Sequence, residues 1–256
     1  MKFTPDYTVI YSDDSIVVLN KRSGILIAAD RYDENAPRLD IEAEKEFGKL
    51  YAVHRIDKDT SGLIIYARTP EAHKNLSMQF ENRKVEKTYH CIVYGRPLWN
   101  ETSVNLPLLP DGDAKHRTTV NKSIGKPSST EFKLIGGCTQ YSWIEAKPKT
   151  GRTHQIRVHL AAIGFSIVCD SLYGGNTKPL RLSEIKHKWN GDETEERPLI
   201  KRLALHSYKL NITHPQSGEK LTFTAPYPKD MEAARKQFAK LFKMPPLTET
   251  AAIEKP

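Results

Sequence analysis

The stretch "YAVHRIDKDTSGLIIYA", Tyr51 to Ala67, decides how this chain is read. Leu63-Ile64-Ile65-Tyr66-Ala67 is a run of aliphatic, β-branched and aromatic residues entered through Thr60-Ser61-Gly62. That pattern reads as a buried strand following a turn. Directly before it stand His54, Arg55, Asp57 and Asp59. An aspartate in such a place can be a nucleophile, a metal ligand, an ion-pair partner or a turn residue. Because Asp favours turns, the turn reading is the default for this stretch taken alone.

Outward from this strand, short β-rich runs recur at Thr8–Tyr11, Ile16–Leu19, Tyr89–Tyr94, Tyr141–Ala146, Leu203–Ile212 and Leu221–Thr224. Helical patterns interrupt them only occasionally. Thr69 can cap a helix that begins at Pro70 and carries Ala72, Leu76 and Phe80 on one face. A second is expected from about Thr153 to Ala162, with Ile156 and Leu160 inward and Gly164 ending it. A third runs from Asp230 to Phe242 with Met231, Ala234, Phe238 and Leu241 inward. Strands without regular βαβ alternation imply an α+β fold around a mixed, mostly antiparallel sheet with flanking helices. One domain over residues 1–243 and a loose tail over 244–256 are expected.

The 256 residues carry 39 Lys and Arg against 31 Asp and Glu, a formal net charge of +8. Such an excess favours a polyanionic partner, and alone it is a weak indication. Three dispersed cysteines, Cys91, Cys138 and Cys169, make neither a disulfide framework nor a CxxC zinc site, and read as buried reduced thiols. No apolar run has the length of a signal peptide core or a membrane span, so a soluble cytoplasmic protein is expected. Two stretches look irregular: 176–198, read as a surface loop, and Asp111–Pro127. The latter holds Lys115, Arg117, Lys122 and Lys126, and reads equally as a loop or a phosphate-contacting arm.

Asp57-Lys58-Asp59 is a DxD pair, which raises a metal or phosphotransfer reading. The apolar strand follows the pair where that class needs it before, and Lys58 weakens the attraction for Mg²⁺. No HExxH or facial triad supports a metal elsewhere, so none is expected. A second constellation, "KTGRTHQIRVHLAAIG" (Lys149–Gly164), gathers Lys149, Arg152, His154, Arg157 and His159 at a helix N-terminus, a good place for an anion. A solvated basic face is the ordinary account of Arg152 and His159. Arg157 lies between Ile156 and Val158, near the core, and a part-buried arginine needs a carboxylate, for which Asp57 is one candidate. A third piece, "VEKTYHCIVYG" (Val85–Gly95), is a strand with Tyr89 either as core or as a flat face and hydroxyl for a base.

These pieces, in this order, resemble the RluA family of RNA pseudouridine synthases. The resemblance rests on HRIDKDTSGLIIYA, EKTYHCIVYG and TGRTHQIRVHLAAIGFSIVCDSLYG, with flanking segments YSDDSIVVLNKRSGI and RLALHSYKLNITHPQSGEKLTFTAP. It covers roughly residues 7 to 226. It implies the pseudouridine synthase fold with a central RNA-binding cleft, and isomerisation of uridines in structured ribosomal or transfer RNA by base flipping. It also implies a catalytic aspartate at Asp57, an active-site tyrosine at Tyr89 and a carboxylate-pairing arginine at Arg157. Arg55 becomes the residue that fills the gap left by the flipped base, with His54, Arg152, His154, Lys115 and Arg117 as further RNA contacts.

The chemistry needs no cofactor and no metal, and a monomer without an obligate protein partner is expected. Two departures stand out. Arg22 follows Asn20-Lys21 where the family commonly has proline, and the S4 domain that precedes the catalytic part of many relatives is not expected here. The rival from another class is a non-catalytic RNA-binding or ribosome-assembly protein on the same fold.

Overall fold

The computed structural model describes residues 6–28, 36–175 and 177–245, with the backbone of Ile253–Glu254. Along the chain run β1 (Tyr7–Ser12), β2 (Ile16–Lys21), α1 (Leu39–Phe47), β3 (Tyr51–Ala52), β4 (Ser61–Ala67), α2 (Pro70–Glu81) and β5 (Glu86–Tyr94). Then come β6 (Glu101–Val104), β7 (Leu108–Leu109), β8 (Thr119–Val120), β9 (Thr130–Gly137), β10 (Tyr141–Pro148) and α3 (Gln155–Ala162). The chain closes with β11 (Leu205–Thr213), β12 (Lys220–Thr224), α4 (Lys229–Phe242) and β13 (Ile253–Glu254). These elements form two compact units: Met1–Thr88 with His206–Pro226 and Glu249–Pro256, and Tyr89–Leu205 with Tyr227–Thr248.

In the first unit the sheet is ordered β1-β2-β4-β11-β12-β13, with β3 also on β4. All its pairs are antiparallel except β4 with β11. Strand β4 is the Leu-Ile-Ile segment, and every residue in it is buried. One of its faces sends Leu63, Ile65 and Ala67 into a core with Ile16, Val18, Leu76, Leu210 and Phe223. Helix α2 delivers Leu76 as its sequence implies: the Thr69 hydroxyl accepts from the Ala72 N–H at 3.1 Å, and Pro70 occupies the first turn.

The parallel seam is unusually close. Gly62 takes φ +109°, and an added Cβ there would lie 2.2 Å from the Ser207 carbonyl oxygen. Gly62→Ala is therefore expected to destabilise the protein by about 2–4 kcal/mol, through both strain and the forced parting of β4 from β11. A urea midpoint equal to that of wild type would show that the seam tolerates a side chain.

In the second unit β10 is central, flanked by β5 and β9, with β6 outside β9, and all these pairs are antiparallel. Trp143 of β10 is fully buried. Tyr227 and Phe238 meet it edge-on, and the Arg235 guanidinium lies over its ring at 5.7 Å. Leu241, expected inward on α4, is only partly buried, while Arg235 is buried. Met244 is buried against Gly136. Beyond Pro245 the expected tail lies outside the described residues, except that Ile253–Glu254 pairs with Thr222–Phe223.

The α+β class and the mostly antiparallel mixed sheet are as expected. Helix α1 and strands β6 to β9 lack a long apolar period and were not anticipated. Helix α3 starts at Gln155, later than Thr153, because His154 sits in the left-handed region at φ 54°. The thiols differ slightly from expectation: Cys91 is buried, but Cys138 and Cys169 are partly exposed. Among the described residues, no helix is long and apolar enough to cross a membrane.

Candidate active site

Asp57 opens a β-turn in which the Thr60 N–H donates to the Asp57 carbonyl at 3.1 Å. Asp57 is half-buried, and Arg55, Lys58 and Asp59 are exposed. An ordinary surface turn needs no support from below, but this one has it. Lys21, at the end of β2, is 1% exposed. Its ammonium donates to the carbonyls of Arg22 (3.0 Å), Ile25 (2.9 Å) and Lys58 (2.9 Å). The Gly24 N–H also reaches the Lys58 carbonyl at 2.8 Å, and the Ser23 hydroxyl reaches that of Asp59 at 2.7 Å. The 22–25 loop and the Asp57 turn are thus laced together.

Arg22, the departure from the family's proline, uses what proline lacks. Its N–H donates to the Asp6 carbonyl at 2.9 Å, and its guanidinium pairs with the Asp6 carboxylate at 2.7 Å. Lys21→Met would take a donor from three carbonyls, of which that of Lys58 keeps the Gly24 N–H, so a loss of about 2–3 kcal/mol is expected, together with slower turnover. An unchanged urea midpoint would remove Lys21 from the support of the turn.

His54 stands in the same loop, three residues before Asp57. Its ring stacks on Phe80 (centroids 4.5 Å apart, 15° between planes), and Nε2 accepts from the Ile65 N–H at 3.1 Å. Burial, and after it the charge of Lys87, push its pKa down to about 3. A neutral imidazole is required, since a protonated Nε2 would face an N–H donor. His54 thus braces the Asp57 loop against β4 and α2.

In the second unit, Arg157 is 4% exposed and bonds Asp170 in a fork: Nε and Nη2 donate to the two carboxylate oxygens, each at 2.8 Å. Asp170 is thus one carboxylate partner of this buried arginine. Burial would raise the Asp170 carboxyl, but Arg157 and the N–H groups of Leu172 and Tyr173 outweigh it and hold the pKa below the ordinary value. The Arg157 guanidinium also lies over the Tyr173 ring at 5.1 Å. The Tyr173 hydroxyl accepts from the Thr118 N–H at 3.0 Å and hydrogen-bonds with His154 Nδ1 at 2.8 Å. His154 and Arg157 thus share Tyr173. Tyr89 is buried in β5, directly across from Ala146 of β10.

The remaining expected contacts divide. Lys115 is exposed. Arg117 donates to the Asp113 carboxylate at 2.7 Å and the Leu172 carbonyl at 2.8 Å, a cross-brace more than a free cation. Arg152 is partly exposed, with Nε 3.4 Å from the Pro127 carbonyl. His159, read as a solvated face, is instead fully buried: its ring nitrogens meet Thr130 Oγ1 at 2.9 Å and the Leu106 carbonyl at 3.0 Å. Sequence reasoning passed over Lys21, Asp170 and Tyr173. The last two lie in the same CDSLYG segment that carries the family resemblance.

Comparison with known proteins assigns the class. The RNA pseudouridylate synthase family model matches residues 15–162. The dual-specificity RNA pseudouridine synthase RluA of Escherichia coli (strain K12) is 34% identical over 223 residues, covering 87% of this chain and 94% of that protein. The ribosomal large subunit pseudouridine synthase D of Neisseria meningitidis serogroup B is 32% identical over 87% of this chain and 59% of its own. A solved structure of human RNA pseudouridylate synthase domain containing 4 shares the fold, with TM-score 0.71 and 22% identity over 93% of this chain and 94% of that one. The chain belongs to the RNA pseudouridylate synthase family. It is an RNA pseudouridine synthase, an isomerase converting uridine in RNA to pseudouridine.

Proposed function

We propose that this synthase acts on structured ribosomal and transfer RNA, and that Asp57 is its reacting carboxylate. The observation that carries the role of Asp57 is the bracing of its turn by buried Lys21, with neutral His54 tying the loop before it to β4. Such support is characteristic of a group that must hold its place during chemistry. The choice of RNA follows the dual specificity in the name of the relative that spans 87% of this chain.

In the reaction the N1–C1′ bond of uridine breaks and a C5–C1′ bond forms. The C5 proton leaves to solvent and N1 gains one, so no electrons are exchanged. An ionised Asp57 adds to the sugar or the base, or removes a sugar proton as the uracil leaves. Flipping the uridine out of its stack costs on the order of a few kcal/mol, which Arg55 offsets by filling the vacated place. Arg157 serves as the family's pairing arginine, and Tyr89 stacks on the uracil and hydrogen-bonds as the new bond forms. The protein acts in the cytoplasm as a monomer.

The test is tritium release from RNA transcripts labelled at uridine C5, using purified protein and both RNA classes. Release from ribosomal and transfer RNA is expected. Release from one class alone would restrict the proposal to it. Tyr89→Phe is expected to bind RNA normally but slow single turnover by about 10²-fold. Wild-type single-turnover rates would take its hydroxyl out of the mechanism.

A further inference from the structure

The Asp111–Pro127 segment carries a feature that the reaction leaves unused. Asn121 to Lys126 form a compact turn after β8, closed by the Gly125 N–H donating to the Asn121 carbonyl at 3.0 Å. The Asn121 side-chain oxygen accepts from the N–H groups of Ser123 and Ile124, both at 3.0 Å. At the base, Leu108 and Lys126 exchange backbone hydrogen bonds of 3.0 and 2.8 Å. The turn is also packed so closely that a Cβ on Gly125 would lie 2.3 Å from the Asn121 carbonyl oxygen.

At the tip stands Ile124, 70% exposed. Isolated exposed apolar residues are common and call for no explanation by themselves. Ile124 differs in its setting. Turn tips favour Gly, Asn, Asp and Ser, and nothing in this hydrogen-bonding scheme requires a large apolar side chain. Lys122 and Lys126 flank it, both exposed, and among the described residues the ammonium of neither has a hydrogen-bond or ion-pair partner. On the sheet of the same unit the lysines are paired: Lys133 with Glu101, Lys147 with Glu145 and Lys149 with Glu131. No acidic residue occurs in the sequence between Asp113 and Glu131, so the turn itself carries no charge to offset its lysines.

A rigid turn offering an apolar wedge between two free cations matches RNA whose bases are splayed apart. Lysines neutralise the backbone, and the wedge covers a base face or fills an opened step. We propose that the Asn121–Lys126 turn is an RNA-contacting wedge, with Ile124 against an unstacked base and Lys122 and Lys126 on the flanking phosphates. The inference rests on the reading of RNA as substrate and extends it to a contact remote in sequence from Asp57.

The experiment measures affinity for a fluorescent RNA stem-loop with uridines in its loop, across a range of salt concentrations. Wild type, Ile124→Ser and the double variant Lys122→Gln/Lys126→Gln are compared. All three positions are exposed, so unchanged thermal unfolding serves as the fold control. The lysine variant should reduce the slope of log K against log salt by about 1.4–1.8, two phosphates' worth. Ile124→Ser should weaken binding about tenfold with the slope unchanged. Wild-type affinity and slope in both variants would overturn the wedge. Tritium release by wild type is scored separately, so its absence would contradict the reaction on these RNAs while the binding data still judge the wedge.

Discussion

Asp57→Asn is expected to reduce pseudouridine formation by about 10⁴-fold or more while leaving RNA affinity within about twofold of wild type. Asparagine is nearly isosteric, and the bond that closes the turn uses the Asp57 backbone carbonyl, so the turn should persist. What is lost is the carboxylate proposed to react. Asp59→Asn is the informative companion. It removes the same charge two residues away, at an exposed position whose carbonyl, not carboxylate, is held by Ser23. If Asp59→Asn were as damaging as Asp57→Asn, the carboxylates would be acting as a pair, and the metal reading of DxD would return.

The second large effect concerns folding. Asp170→Ala is expected to destabilise the protein by about 3–5 kcal/mol, because it leaves the buried Arg157 guanidinium without its fork. The double variant Arg157→Met/Asp170→Leu should lose less than the two single variants combined, since it removes both charges together. Urea unfolding measures both.

The pH dependence follows in sign. The folded Asp170 carboxyl titrates below its unfolded value, so its contribution is complete above the ordinary carboxylate range. It is lost as pH falls through that range toward the lower folded value. His54, with its pKa depressed to about 3, acts in the same direction from higher pH. Its neutral form is free of cost above about pH 6.5, and acidification below that favours the unfolded chain. Stability should therefore fall from about pH 6.5 downward, and His54→Gln should flatten the upper part of that fall. A flat profile from pH 7 to 4 would contradict the His54 assignment, and the absence of a further fall below pH 4 that of Asp170.

The sequence makes the strands legible where apolar runs are bounded by turn residues, as in β2, β4 and β12. It makes α2 legible because Thr69, Pro70, Ala72 and Leu76 all agree on one helix. Strand β9, Thr130–Gly137, was hidden because its burial alternates between a core Phe132 and charged Glu131 and Lys133, then ends in two glycines. Within the site, residue type was readable and partnership was not. Arg157 announced its need for a carboxylate through its apolar neighbours, but nothing in a linear sequence couples it to Asp170 more than to any other acid. Lys21 carries no signal of its role in the sequence, since only the fold closes three carbonyls around its ammonium. The contacts of His54 with β4 and of Arg117 with Asp113 and Leu172 were likewise unreadable, because a chain does not reveal which polar groups its own fold will engage.

The most direct test of the central claim is pseudouridine mapping of total RNA from cells lacking this gene, rescued with wild type or with Asp57→Asn. Sites that vanish on deletion should return with wild type and stay absent with Asp57→Asn. Restoration of every site by the Asp57→Asn protein would contradict the account, because the reacting carboxylate would then lie elsewhere.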